Sequence, residues 1–403
     1  MAEAAAKSKR WLARALVGVA GLALAACSTI VPKAPPPPVS GPVIRPQPLP
    51  DRPVVQPGIP QDVARHRVAL LVPLTGGNAG VGQSIANATQ LALLDLNNNA
   101  IRITSYDTNG GAGGGGAAAA AQRALADGNR LILGPLLAED VRAVASIARG
   151  AGVPLVSFSN DLSVAGRGTY VLGYSPAQAV ARVVDYARGQ GVTSFAGLIP
   201  NGLYGERAST AFLRSVEGAG GQVVSLQTYD RAPGSITAAV TRLARNSPYQ
   251  AVLIADGGAS ASAAAPLIRR NGGTGARILG TELWNSESGI AARPGLTGAW
   301  FASVPDTFYR QYAAKYRARF GAAPYRLSSM GYDAVLLTVR IARDWRIGSV
   351  FPADRLDDRG GFSGIDGAFR FGRDGIAERA LEVQEIRGGA TVTVSPAPSG
   401  FGT

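Results

Sequence analysis

In 403 residues there is one cysteine and one histidine, and acidic side chains are short of basic ones by 27 to 40. A lone thiol excludes an intramolecular disulfide. So few Cys and His exclude metal sites built from those ligands, and they exclude a Ser-His-Asp or Cys-His nucleophile system unless His66 takes part. His66 stands between Arg65 and Arg67 at the edge of the first strand-like run, where a solvated boundary residue is expected. Catalysis, a metal and a cofactor are therefore not expected. No block of five basic residues and no aromatic-rich basic motif occurs, so the net charge of +13 is spread out and nucleic acid is not an expected partner. A basic surface does favour acidic partners such as anionic headgroups or glycan carboxylates.

The single cysteine lies in LAACST, residues 24–29. Upstream are Lys7, Lys9, Arg10 and Arg14, then an apolar run from Ala15 to Ala26 that is too short to span a bilayer. This is the layout of a signal peptide, residues 1–26. The L-A-A-C segment resembles the lipobox of bacterial lipoproteins, which implies cleavage before Cys27 and acylation of its thiol and new amino group. Cys27 is then a membrane anchor, and two or more acyl chains hold where one is marginal. Ser28 after the cysteine implies, by the same resemblance, the outer membrane rather than the inner, with the protein facing the periplasm. Cleavage takes four basic side chains and Glu3 with it, which leaves the mature chain basic.

Twelve of the 26 prolines fall between Pro32 and Pro60, with no hydrophobic period. Residues 27–65 are read as a lipidated linker, extended as polyproline II and able to reach on the order of 100 Å. From Arg67 the pattern changes. Nine short apolar runs (RVALLVPL, IRITSYDT, RLILGPL, VPLVSFS, TSFAGLIP, GQVVSLQTYD, YQAVLIAD, ARILGTEL, GAWFASV) alternate with helical segments such as QSIANATQLALLDLN, which puts Ile85, Ala88, Ala92 and Leu96 on one face. Strands apolar on both faces require a parallel sheet covered by helices on both sides, so the fold class is doubly wound α/β. About 330 residues exceed what one sheet usually carries, which predicts two lobes. Crossovers are expected near Leu172, Trp284 and Arg359, giving one lobe from 66–173 plus 299–358 and another from 174–283 plus 361–395.

Two distant segments, RVALLVPLTGGNAGVGQSIANATQLALLD and FSGIDGAFRFGRDGIAERALEVQEI, resemble the opening and closing motifs of type I periplasmic solute-binding proteins, the branched-chain amino-acid receptor family. The resemblance covers about residues 66–395. It implies a two-lobed fold closing over a cleft, each lobe a mostly parallel sheet with helices on both faces. The cleft positions it implies are Leu74, Thr75 and Gly76; Gly134, Pro135, Leu136 and Leu137; Ser157, Phe158, Ser159 and Asn160; Tyr204 and Gly205; Asp256 and Gly257. Amino-acid receptors of this family usually carry a serine in the loop occupied here by GPLLAED. Glu139 in that loop would repel a ligand carboxylate, which argues against simple amino-acid capture. GPLLxxxV together with a lipobox is similar to the penicillin-binding protein activator lipoproteins, and implies a peptidoglycan synthase as partner. The alternative is a receptor that delivers a small-molecule ligand to an ABC permease. GAGGGG at 111–116 satisfies GxGxxG but follows a second strand rather than a first, so it is read as a βα loop and not as a dinucleotide fingerprint.

Overall fold

The computed structural model describes residues 64–110, 114–246, 248–287 and 289–401. Cys27, the signal segment and the proline-rich linker lie outside them. The described residues fall within one compact unit, Ile59–Thr403. Among them, no helix is long and apolar enough to cross a membrane.

Two sheets organise the chain. The first is built from β1 (His66–Val72), β2 (Ile101–Asp107), β3 (Leu131–Leu133), β4 (Leu155–Ser157) and β5 (Thr169–Val171), all parallel in the order β2-β1-β3-β4-β5. Every residue of β1 from Val68 to Val72 is fully buried. Alternation explains this: Val68, Leu70 and Val72 face one core with Ile85 of helix α1 (Ala79–Asp95), while Ala69 and Leu71 face another with the alanines of α2 (Gly116–Ala126). Helix α3 (Ala138–Gly150) covers that second face through Val141, Val144 and Ala148.

The second sheet runs β15-β14-β10-β9-β8-β6-β7. Its parallel strands are β6 (Ser194–Pro200), β7 (Gln222–Tyr229), β8 (Ala251–Ile254), β9 (Arg277–Gly280) and β10 (Trp300–Ser303). The antiparallel hairpin of β14 (Glu382–Arg387) and β15 (Ala390–Ser395) extends it past β10. Helices α4 (Pro176–Gly189) and α5 (Leu203–Gly218) cover one face, and α6 (Ser235–Leu243) and α7 (Gly258–Arg270) the other.

All nine apolar runs form strands, and the chain first passes from the first sheet to the second at Leu172–Ser175. The other two lie elsewhere. Trp300–Ser303, expected in the first lobe, pairs with β9 in the second sheet, so the chain returns at Val304–Asp306 rather than near Trp284. Trp284 is instead fully buried in the core of the second sheet. A strand that is apolar on both faces fits the middle of either sheet, so its sequence does not say which one it joins. Segment 361–379, expected in the second lobe, forms a separate antiparallel sheet of β11 (Phe362–Gly364), β12 (Gly367–Phe371) and β13 (Ala377–Arg379). Its Phe362, Phe369 and Phe371 pack into the core of the first sheet beside Trp345 and Leu356. Helices α8 (Thr307–Phe320) and α9 (Ser329–Ala342) close that lobe, with Tyr312, Tyr316 and Tyr332 set against Ala88 and Leu91 of α1. The last crossover is thus at Ala380–Leu381 and not near Arg359.

His66 also departs from expectation. It is buried and stacked on Trp345 at 4.1 Å between ring centroids, and burial pushes its pKa below the ordinary imidazole value. The short strand β1 starts one residue earlier than the apolar pattern suggests, which carries His66 into the sheet.

Candidate functional site

A cavity of about 530 Å³ lies between the two sheets, at the carboxyl ends of their strands. From the first lobe it is lined by Asn78 and Val81 at the start of α1, Leu136 and Leu137 ahead of α3, Phe158 and Asn160 after β4, and Tyr325, Arg326, Leu327 and Met330 ahead of and within α9. From the second lobe come Gln178 and Ala179 of α4, Glu282, Leu283, Asn285 and Ser286 after β9, and Ser303 of β10. The crossovers add Tyr174, Ser175, Val304 and Leu381, with Arg379 just ahead of the last. The walls are mostly apolar with a few polar groups, the usual make-up of a small-molecule site.

The polar groups are linked across the crossovers. Arg326 donates to Asp366 Oδ1 at 2.7 Å and to Ser329 Oγ at 2.9 Å, reaches Asp306 at 3.5 Å, and lies over the Tyr309 ring at 3.9 Å. The Tyr174 hydroxyl also donates to Asp366. Arg379 donates to the Leu172 carbonyl at 2.6 Å and stacks over Tyr174. Two arginines therefore reach residues of the first two crossovers, and Arg379 itself directly precedes the third. Burial opposes ionisation of Asp366, but Arg326 and Arg379 beside it, with the donors Tyr174 and Ser329, outweigh burial and hold its pKa below the ordinary value. Its neighbour Asp333 is pushed up, first by burial and then by the charge of Asp366. On the second lobe, burial pushes Glu282 up to about 7, against the opposing hydrogen bond from Tyr204.

The positions carried over from the family resemblance fall into three groups. Leu136, Leu137, Phe158 and Asn160 line the cavity. Tyr204 stands behind it, its hydroxyl donating to Glu282 at 3.1 Å and accepting from the Thr281 hydroxyl at 2.9 Å. The rest hold the loops. Leu74 and Thr75 both donate to Asp107, and Gly76 turns the chain with φ +74°. Ser157 donates to the Pro135 carbonyl and accepts from Ser159 N–H, while Ser159 Oγ accepts from Asp161 N–H. Gly134 and Gly205 are close-approach positions: a Cβ would lie 2.1 Å from the Leu71 carbonyl oxygen and 1.7 Å from that of Pro200. Asp256 accepts from Tyr229 and from Gly257 N–H, and its carbonyl takes the Trp284 indole N–H. Glu139, expected to face the ligand, is exposed on the first turn of α3 and is not part of the cavity wall. A helix that starts at Ala138 directs its first acidic residue to solvent.

Glu282, Arg326, Arg379 and Tyr174 were not among the expected site residues. A signal for Glu282 existed, since it directly follows an apolar strand where doubly wound sheets present ligand-facing groups. The arginines had none, because their partners, Asp366 for Arg326 and Leu172 for Arg379, lie 40 and 207 residues away and outside any local period. At the cavity edge Asp161 accepts from Arg142 at 2.7 Å and from Arg207 of α5 at 2.6 Å, a direct ion pair between the lobes. The GAGGGG segment joins β2 to α2; its residues 111–113 lie outside the described residues. Among the described residues, no group of His, Cys, Asp and Glu is arranged to hold a metal.

Comparison with known proteins agrees with this architecture. A curated relative, an uncharacterized protein of Rickettsia prowazekii (strain Madrid E), is 25% identical over 179 residues, 44% of this chain and 47% of its own length. The chain thus spans about half the length of the relative it matches. Among solved structures, one described as a branched-chain amino acid ABC transporter from Rhodospirillum rubrum superposes with a TM-score of 0.70 at 20% identity, covering 82% of this chain and 100% of that one. The C-domain of LpoA from Haemophilus influenzae, a regulator of PBP1A, gives 0.64 at 20% identity over 81% of this chain and 99% of that domain. A Rhodopseudomonas palustris solute-binding protein in complex with benzoate gives 0.59 at 17% identity over 84% and 98%. At these identities the likeness establishes the fold, a type I periplasmic-binding-protein fold. The family described as periplasmic binding protein matches residues 66–390, and the chain belongs to that family.

Proposed function

We propose that this chain is a non-catalytic, lipid-anchored protein of the cell envelope whose binding-protein body regulates peptidoglycan synthesis by contact with a synthase. The observation that carries this reading is the way the lobes are tied. Arg326 reaches Tyr174 and Asp306 and Arg379 the Leu172 carbonyl, which fastens the first two crossovers in a buried cluster, and Asp161 and Arg207 add a partly exposed contact between the lobes. A transport receptor works by opening and closing around its cargo. Lobes bonded to each other in this way suit a body that presents one constant surface to a partner. The lipobox at Cys27 and the proline-rich spacer support the reading, since together they give an anchored body a long reach. The fold likeness to the C-domain of the Haemophilus regulator is compatible with it. Purified protein lacking the lipid should raise the glycan-polymerising or cross-linking rate of a synthase from its own organism. No change with any such enzyme removes the proposal.

The cavity favours a second reading, a solute receptor of an ABC transporter. Its volume and apolar walls suit a small molecule. The Ser157 hydroxyl is taken up by the Pro135 carbonyl of the neighbouring loop and by Ser159 N–H, Ser159 Oγ accepts from Asp161 N–H, and Leu136, Leu137 and Phe158 form the wall there. Free branched-chain amino acids are therefore not expected to bind tightly. Calorimetry with leucine, isoleucine, valine and benzoate separates the readings: micromolar binding of any of them promotes the receptor.

A further inference from the structure

A second cavity, of about 580 Å³, flanks the crossover at Val304–Asp306. One wall is α8, which presents Arg310, Ala313 and Arg317 at spacings of three and four, one face of a helix. The small Ala313 leaves room between the two arginines. The opposite wall is Trp284 to Glu287 with Ile290 and Ala291 of the other lobe, together with Phe301 and Thr391. Tyr325 and Arg326 separate this cavity from the first and line both.

The charge here is unbalanced. Glu287 is already neutralised by Arg293, at 2.7 Å and 3.0 Å, and accepts from Gly258 N–H. Asp306 is shared between Asn285 at 3.2 Å and Arg326 at 3.5 Å. Arg326 has a side-chain exposure of 8%, and its Nε and Nη2 have no hydrogen-bond acceptor among the described residues. Arg310 and Arg317 are exposed and form no hydrogen bond or ion pair with a described residue. Guanidinium groups present paired N–H donors in the geometry of carboxylate and phosphate oxygens. The Tyr325 ring, more than half exposed, adds a flat apolar face next to them.

From this arrangement we infer that the α8 flank is a ligand site distinct from the central cavity, taking a small organic dianion, phosphorylated or dicarboxylated, between Arg310 and Arg317 with its body against Tyr325. Because its walls come from both lobes, occupancy adds a further tie between them. Neither the regulator nor the receptor reading requires this site, and its test is independent of synthase assays.

The full mature protein is titrated by calorimetry with glucose 6-phosphate, succinate and neutral glucose. The phosphate or the dicarboxylate should bind and glucose should not, and the anion that binds identifies the head group. In R310Q/R317Q affinity should fall on the order of tenfold or more, while R319Q/R343Q, with the same change in net charge on exposed positions, should stay within about twofold. Equal weakening in both double variants means diffuse surface charge and overturns the site, as does binding of neither anion above glucose. A readout on the unsubstituted protein guards against a variant that fails to fold: NMR resonances of Tyr309 and Tyr325 should shift with the binding anion and not with glucose. Unmoved tyrosines overturn the proposal as well.

Discussion

Two aspartates, Asp366 and Asp161, each sit against two arginines at the junction of the lobes, yet their surroundings differ. Asp366 is fully buried and its partner Arg326 nearly so, whereas Arg142 and Arg207 around Asp161 are 57% and 26% exposed. Water screens the second cluster and not the first, so the same set of side chains has different energetic weight at the two places. The inner cluster fixes the crossovers. The outer one is a contact that solvent can replace.

The sharpest test of that difference is Asp366→Ala. It leaves Arg326 and Arg379 facing each other in a buried site, and should lower stability by about 3–5 kcal/mol, read from urea denaturation. Glu282→Gln comes next, since a neutral isostere removes the pH dependence of a group held near 7. With its folded pKa above the ordinary 4.5, Glu282 binds protons more tightly in the folded than in the unfolded chain. Its unfavourable contribution therefore grows as pH rises from about 4.5 to 7 and is complete above that, up to about 3 kcal/mol for so buried a group. Denaturation at pH 5 and pH 8 should show wild type losing stability over that interval relative to E282Q; parallel curves contradict the burial argument. Asp366 has the opposite sign: its depressed pKa stabilises above the ordinary carboxylate value and is lost as pH falls through the folded one, so D366N should flatten the acid limb.

Asp161→Asn should cost less, about 1–2 kcal/mol, because its arginines keep access to water. The effect should shrink in high salt, unlike that of Asp366→Ala, and equal salt sensitivity removes the contrast between the clusters. Smallest of all is Glu139→Gln. Exposed at the start of α3, it should change stability by less than about 0.5 kcal/mol and leave any ligand affinity of the central cavity unaltered, measured by calorimetry.

The strands were legible because burial on both faces leaves an unbroken apolar mark, as in Val68–Val72 and Ala251–Ile254. Ile85, Ala88 and Ala92 were legible as one helix face and all three are buried, whereas Leu96, placed on the same face, follows the end of the helix and is exposed. The wall residues Leu136, Leu137, Phe158 and Asn160 could be placed because their two loops resemble the cleft-lining loops of the family. Glu139 was misread because proximity in sequence to a lining loop does not give direction, and one residue into a helix the side chain has turned away. His66 was misread because its stacking partner, Trp345, is remote in the chain.

By itself, then, the sequence determined the alternation of strand and helix, the presence of two lobes, and the point near Arg67 where a proline-rich composition gives way to that alternation. Those properties are written in local periodicity, which depends only on neighbours a few residues apart. The tertiary structure alone decided that Trp300–Ser303 joins the second sheet, that 361–379 returns to the first, and that Arg326, Arg379, Asp366 and Tyr174 meet at the crossovers. Each of those outcomes is a pairing between residues far apart in the chain, and a charge or an apolar strand carries no record of the distant partner that will satisfy it.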